Sequence, residues 1–184
     1  MLLAIDPGKK VFGWALFTGE SRRLLGCGMV RSTHPHARDR GRCLAEDVLS
    51  AVAQIPSSDV RIRFEGLDLV IERMRWRPND ASSQPNDLLD VSETATYFAQ
   101  QIARRTEFGW LKLVPAAEWK ANLSKAIHHA RIAKVLDLGE GVVLSAGVLN
   151  VPKTHHKEVL DAVGIGLHAL GRTDKAGRLL GAIR

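Results

Sequence analysis

Four acidic residues stand in stretches of sequence that are otherwise apolar. Asp6 follows a run of four apolar residues, and Glu72 ends another apolar run. Glu158 and Asp161 are three residues apart in a C-terminal segment rich in aliphatic side chains. Such segments are normally buried, and a buried carboxylate is costly unless it is paired or bound to a metal ion. These four acids are therefore candidates for one site.

A cluster of carboxylates calls for divalent cations. Neighbouring carboxylates repel one another, which raises their pKa values unless a cation holds them ionised. Ligand sets made only of oxygen favour Mg²⁺ or Mn²⁺ over zinc. Enzymes with two such ions use one to activate a water molecule and the other to stabilise the leaving oxygen of a phosphodiester. We therefore expect a phosphodiester-cleaving site with two ions, Asp6 lying between them.

Each acid also has a purely structural interpretation. Asp6 precedes Pro7 and could be a turn former, and Glu72 could pair with the arginines that follow it. Glu158 could pair with Lys157 or be solvated. Taken singly, these interpretations are at least as good as the catalytic one. The order and placement of the four acids together favour catalysis.

The elements that would position these acids can be read from periodicity. Short apolar runs separated by turn formers predict an antiparallel meander of three strands, and helical patterns then alternate with two more strands. The predicted strands are 2–5, 11–17, 24–30, 67–71 and 110–114; the predicted helices are 39–54, 87–105 (capped by Asn86 or Asp87), two pieces within 116–138, and 154–170, with 139–151 left unassigned. This pattern indicates an α/β fold with a five-stranded mixed sheet and helices on both faces.

Length and charge narrow the class of protein. A chain of 184 residues fits one domain over 1–184, with 171–184 expected to be a basic tail. The chain has 26 Lys and Arg against 20 Asp and Glu, a net charge of +6 and a pI near 9.7, which favours a nucleic-acid partner. Cys27 and Cys43 lack metal-ligand spacing and are interpreted as reduced structural thiols. No apolar run is long enough for a membrane span, so we expect a cytoplasmic protein without a membrane partner.

Three stretches resemble RuvC-type Holliday junction resolvases. LLAIDPGKKVFGWAL at 2–16 is similar to the first strand, turn and second strand of that family. VIE at 70–72 resembles its second acid, and EVLDAVGIGLH at 158–168 resembles the helix that bears its last acids. The order is the same over nearly the whole chain. HHAR at 128–131 and DAVG at 161–164 are similar to phage-type members.

This resemblance implies an RNase H-like fold and roles for particular acids. Asp6, Glu72 and Asp161 match the metal ligands, and Glu158 falls where the family has another acid or a histidine. Alternatively, His155 or His156 supplies that function as a catalytic accessory. The two histidines could equally be exposed residues at the start of a helix.

Basic and aromatic residues near the acids suggest DNA contacts. Arg73, Arg75, Trp76 and Arg77 follow Glu72 directly, and the family has an aromatic residue at that place. Arginines neutralise phosphates, and an indole can stack on an unpaired base. A second basic group, which a solvated helix face would equally explain, comprises Lys120, Lys125, His128, His129 and Arg131. Of the other tryptophans, Trp14 and Trp110 are predicted to pack in the core, and Trp119 to cover the sheet edge.

The resemblance implies an endonuclease that resolves four-way junctions. Two symmetric cuts need two active sites, so a homodimer is expected, and by analogy helix 87–105 is our hypothesis for the contact. No organic cofactor is expected. Two alternatives remain open: a broader RNase H-like nuclease of branched DNA or RNA–DNA hybrids, and a junction-binding relative without catalysis.

Overall fold

A five-stranded mixed sheet forms the centre of the molecule. The computed structural model describes residues 1–55, 65–74, 84–120, 123–174 and 178. The sheet has the order β3-β2-β1-β4-β5, in which β1, β2 and β3 are antiparallel neighbours while β4 is parallel to both β1 and β5. The strands are β1 (Leu2–Pro7), β2 (Val11–Phe17), β3 (Leu24–Arg31), β4 (Glu65–Arg73) and β5 (Glu107–Pro115). The predicted meander and the two parallel strands are confirmed.

Helices cover both faces of the sheet, as predicted. They are α1 (Ala37–Ala53), α2 (Pro85–Arg105), α3 (Ala116–Trp119), α4 (Lys125–Val135), α5 (Leu138–Leu149) and α6 (His156–Ala169), the last preceded by a 3-10 turn, Lys153–His155. One hydrophobic core lies between the sheet and α1 and α2, and a second between the sheet and the C-terminal helices. None of the described helices combines the length and hydropathy that crossing a membrane requires.

Two details of the helices differ from the sequence prediction. The unassigned stretch contains α5, which begins with a reciprocal cap: the Asp137 carboxylate accepts from the Glu140 amide at 2.8 Å, and the Glu140 carboxylate from the Asp137 amide at 3.0 Å. Helix α2 is capped at Gln84 and has Pro85 in its first turn, so the prediction of Asn86 or Asp87 as its cap is wrong. Proline is well suited to that position because the amide there would be unpaired anyway.

The tryptophans and thiols test the predicted core. Trp14 is buried as expected, and Trp119 is fully buried in the core rather than lying over the sheet edge. Trp110 is 42% exposed, so its predicted core position is wrong; it lies on β5, the outermost strand. Cys27 is a free buried thiol, and burial raises its pKa to about 12, which agrees with a structural role. Cys43 is also free and is partly exposed.

A buried ion pair attaches the segment after α6 to the domain. The Glu140 side chain is 1% exposed and accepts hydrogen bonds from Arg172 Nη2 at 2.8 Å and the Leu24 amide at 2.8 Å. Burial by itself would raise the pKa of Glu140, but the bonds from Arg172 and from backbone amides hold it below its ordinary value. Arg172 belongs to the region expected to be a tail, and it is packed against the fold at this point.

Replacing Arg172 with methionine is expected to lower the free energy of unfolding by about 3 kcal/mol, because it leaves a buried carboxylate without its cation. Arg178→Met is the matched control: its partner is Asp174, its own side chain is 71% exposed, and its loss is expected to cost less than about 1 kcal/mol. Urea denaturation of both variants measures the difference. The difference should narrow as pH falls below 4.5, the ordinary value for glutamate, toward the lowered pKa of Glu140. Equal losses in the two variants would contradict this account.

Candidate metal centre

Two of the acids meet where parallel strands end. β1 and β4 are parallel neighbours, and their register pairs Ile5 with Ile71. The next residues, Asp6 and Glu72, therefore lie side by side at the carboxyl end of the sheet. The two carboxyl groups are hydrogen-bonded to each other. Two acids from neighbouring strands therefore meet at one place at the end of the sheet.

A close contact between α6 and the sheet brings in the third acid. Gly13 on β2 is paired with Asp6, and a Cβ atom built on Gly13 would lie 2.0 Å from the carbonyl oxygen of Glu158. Only glycine allows the helix to come so near the strand. Asp161, one turn further along α6, has a side chain that is 2% exposed and lies within the electrostatic field of the Asp6–Glu72 pair.

Burial and repulsion disfavour the ionised forms of two acids in this cluster. Burial, followed by repulsion from Glu72 and Asp161, raises the pKa of Asp6 well above its ordinary value. Burial also raises the pKa of Glu72. The charge of Lys120 lowers this pKa, and the charge of Asp161 raises it further. The cations present do not fully compensate these two carboxyl groups. An additional positive charge at this place would therefore be stabilised.

Asp161 is the acid with the strongest partners. Its Oδ2 accepts from Lys125 Nζ at 2.7 Å, and its Oδ1 lies 2.7 Å from His129 Nε2. Burial opposes ionisation of Asp161, but the bond from His129 and the charge of Lys125 lower its pKa below the ordinary value. His129 was assigned from the sequence only to a basic group. The helical spacing of Lys125 and His129, four residues apart, could have identified them as a pair facing one target.

The residues of the second basic group have different locations: some lie beside the acids and one lies in the core. Lys120 Nζ lies 3.7 Å from Glu72 Oε1 and 4.5 Å from the centre of the Trp119 ring. His128 is 1% exposed and its Nε2 lies 2.9 Å from the Trp119 carbonyl oxygen, so it cannot reach a phosphate backbone. Burial lowers its pKa. Lys120 and Lys125 thus adjoin the acids, whereas His128 is a core residue.

Glu158 stands beside the cluster with its own neighbours. Its Oε1 lies 3.8 Å from His155 Nδ1 and 3.7 Å from Lys157 Nζ. Its Oε2 is buried and has no hydrogen-bond partner among the described residues. His156 Nε2 lies 2.8 Å from the Val151 carbonyl oxygen, which fixes the start of α6. Of the two histidines, His155 is the one next to an acid.

Of the remaining residues predicted to contact DNA, the structure describes two. Arg73 is exposed at the end of β4, directly after Glu72, and Arg131 lies on α4 and is partly exposed. Arg75, Trp76 and Arg77 lie outside the described residues. Their suggested role in DNA binding stays a prediction.

The carboxylate oxygens at the site are ligands that a hard divalent cation prefers, but their present positions do not form a complete coordination site. Within the described ranges, no three His, Cys, Asp or Glu side chains are placed so that they could hold a metal ion. The reason is visible in the contacts: Lys125 and His129 take both oxygens of Asp161, and Lys120 approaches Glu72. The raised pKa values of Asp6 and Glu72, and a Glu158 Oε2 without a partner among the described residues, fit a group of oxygen ligands for a divalent cation.

Comparison with known proteins shows which solved structures have a similar fold. No family model matches the sequence, and no curated protein is detectably similar to it in sequence. Similar solved structures include Thermus thermophilus RuvC in complex with Holliday junction substrate (18% identity, TM-score 0.49, 92% of each chain) and Thermus thermophilus RuvC alone (17%, 0.46, 92% of this chain and 93% of that one). The yeast mitochondrial Holliday junction resolvase Ydc2 is another (14% identity, TM-score 0.57, 92% of this chain and 77% of that one).

The strand order and the similarity to the yeast resolvase define an α/β protein of RNase H-like fold. Within that class, the arrangement is that of the RuvC-like resolvases, and the resemblance inferred from the sequence is confirmed at the level of the fold. At 14% identity the similarity extends to the fold alone. What the site does has to be argued from its residues.

Proposed function

We propose that the protein is a metal-dependent endonuclease that resolves four-way DNA junctions by two-metal-ion hydrolysis, giving paired symmetric nicks. One observation carries the proposal: three carboxyl groups, those of Asp6, Glu72 and Asp161, share one site at the carboxyl end of a RuvC-like sheet, and their charge is incompletely compensated. The name of the yeast mitochondrial Holliday junction resolvase, which shares the fold, supports the choice of substrate.

Each side chain has a distinct role in the proposed site. Asp6, Glu72 and Asp161 would hold Mg²⁺ or Mn²⁺, and Glu158, one turn before Asp161 on α6 and with no partner for its Oε2 among the described residues, would complete the set. The bound ions would supply an activated water molecule and stabilisation of the leaving oxygen. Lys120 lies near Glu72 and Lys125 pairs with Asp161 in this structure, and both would stand beside the scissile phosphate.

Charge and stoichiometry complete the proposal. The net charge of +6 and the exposed Arg73 favour a phosphate-rich partner near Glu72. Two opposed cuts in one junction require two sites, which a homodimer would provide. Arg75, Trp76 and Arg77 would contact the strands beside the cut.

Cleavage of an end-labelled four-way junction, assayed beside linear duplex and RNA–DNA hybrid, tests the proposal. The assay uses Mg²⁺, Mn²⁺ or a chelator and compares wild type with Asp161→Asn. The matched control is Asp47→Asn, on α1 at the opposite face of the sheet. We expect paired symmetric nicks in the junction alone, lost with the chelator and in Asp161→Asn but retained in Asp47→Asn.

Other outcomes point to the two alternatives. Cleavage of the hybrid, or of every branched form, would make the protein a broader nuclease with the same fold and ions. Binding of the junction without any cut, at every metal concentration, would make it a non-catalytic relative. The incompletely compensated carboxyl groups argue against that alternative, because without a cation they only destabilise the fold.

A further inference from the structure

The two carboxylate oxygens of Asp161 have different kinds of partner. Oδ1 lies 2.7 Å from His129 Nε2, and Oδ2 accepts from Lys125 Nζ at 2.7 Å. The Asp161 side chain is 2% exposed, so water cannot replace either partner freely. A divalent cation that binds Asp161 therefore approaches an oxygen that already has a partner, and at Oδ2 that partner is a positive charge.

The packing of α4 on α6 holds His129 in place. Its side chain is 15% exposed. The two helices approach so closely that a Cβ atom on Gly164 would lie 2.6 Å from Ile132 Cδ1 and 2.8 Å from the Trp119 ring. The helix that carries His129 is thus fixed against α6, and the imidazole, little exposed, has less room to rotate away from Oδ1 than an exposed side chain would have.

Lys125 is held much less firmly. It is the first residue of α4, and its side chain is 53% exposed. Lysine carries its charge on a flexible stem of four carbons, so the ammonium group can move into solvent without disturbing the helix. Of the two partners of Asp161, Lys125 is the one that can leave.

We propose that Asp161 is a divided ligand, in which His129 permanently orients the carboxylate through Oδ1 while Lys125 occupies Oδ2 as a placeholder that gives way to a divalent cation. The inference rests on the proposed metal site and assigns its regulation. His129 is a positioning residue, and Lys125 competes with the metal ion. Once displaced, the ammonium group of Lys125 is available to a phosphate, which links metal loading to DNA contact.

Mn²⁺ binding to the DNA-free protein, measured by isothermal titration calorimetry and by the electron paramagnetic resonance signal of free Mn²⁺, tests this proposal. Lys125→Met should bind Mn²⁺ about tenfold more tightly, because no ammonium group has to be displaced. His129→Leu should bind about 10 to 100-fold more weakly, as is usual when a ligand loses its orienting hydrogen bond. His129→Gln, whose amide nitrogen can replace Nε2, should recover most of this loss.

The control is Lys134→Met, which removes the same charge from an exposed position near the end of α4 and should leave the affinity unchanged. A purely structural ion pair predicts the opposite sign for Lys125→Met, since losing it would loosen Asp161 and weaken binding. Tighter binding in Lys125→Met but not in Lys134→Met supports the proposal. Unchanged or weaker binding in Lys125→Met overturns it.

The test remains decisive even if one variant does not fold. If His129→Leu fails to fold, the exposed position of Lys125 still permits the decisive comparison, and His129→Gln binding like wild type would support the orienting role. His129→Gln binding 10-fold or more weakly would overturn that role. If wild type binds no Mn²⁺ and cuts no DNA, the proposed function itself fails; if it binds Mn²⁺ and Lys125→Met gains nothing, only the divided ligand fails.

Discussion

Asp6→Asn is expected to reduce junction cleavage by at least ~10³-fold, about 4 kcal/mol in the activation barrier, while making the metal-free protein more stable. The carboxyl group is repelled by both Glu72 and Asp161, and replacing it with an amide removes one of the proposed ligands of the ions. The same change removes a buried acid that its neighbours repel. Cleavage assays and thermal melts in a chelator measure the two effects on one preparation.

The stability gain should depend on pH. Because the pKa of Asp6 is raised above 3.8, the native state binds more protons than the unfolded state between that value and the raised pKa. The contribution of Asp6 to the stability of the metal-free wild type therefore falls as pH rises through this window. Asp6→Asn lacks this contribution, so its advantage should grow with pH. Saturating Mg²⁺ should reverse the order of the two melting temperatures by stabilising only the wild type.

Asp39→Asn, on the exposed first turn of α1, is the control for the change from acid to amide. It should neither abolish cleavage nor gain stability with rising pH. An Asp6→Asn protein that cuts as fast as wild type would exclude Asp6 from the site. One that is less stable in the chelator at every pH would show that the Asp6 carboxyl is well compensated, contrary to the electrostatics described above.

The sheet could be predicted from sequence because its signals are local. The runs around Ile5 and Ile71 are short, apolar and bounded by turn formers, and these features distinguish strands. Helix α5 could not be assigned because its sequence signals conflict: Asp137 and Glu140 form a capping box, but three glycines follow within the helix. Gly147 is explained only by the fold, since a Cβ atom there would lie 2.5 Å from the Cys27 carbonyl oxygen.

The acids of the candidate site could be predicted because their signal is also local. The side chains that they contact could not be predicted. A carboxylate in an apolar stretch is visible in the sequence, whereas the contacts of Asp161 with Lys125 and His129 join residues 36 and 32 positions apart. Those contacts depend on how α4 packs on α6. The predicted burial of Trp110 is wrong because a strand pattern does not show whether the strand is central or, like β5, at an edge of the sheet.

Gly13→Ala is expected to cost about 3 kcal/mol in the free energy of unfolding and to slow cleavage by about 100-fold. The new methyl group would lie 2.0 Å from the carbonyl oxygen of Glu158 and 3.1 Å from the Val159 amide nitrogen, and these backbone atoms cannot rotate away as a side chain can. Helix α6 must move off β2 by about an ångström or more to restore normal contact. Asp161 moves with it, away from the Asp6–Glu72 pair on the sheet.

Gly141→Ala is the matched control, because a Cβ atom at this position in α5 would meet no described atom within 4 Å outside the backbone of its own helix. Alanine favours a helix over glycine by up to about 1 kcal/mol, so this variant should be as stable as wild type or more so, with unchanged cleavage. Urea denaturation and junction cleavage on both variants separate the close contact of α6 from the general effect of adding a methyl group. If Gly13→Ala kept both wild-type stability and wild-type cleavage, the position of Asp161 could not depend on this contact.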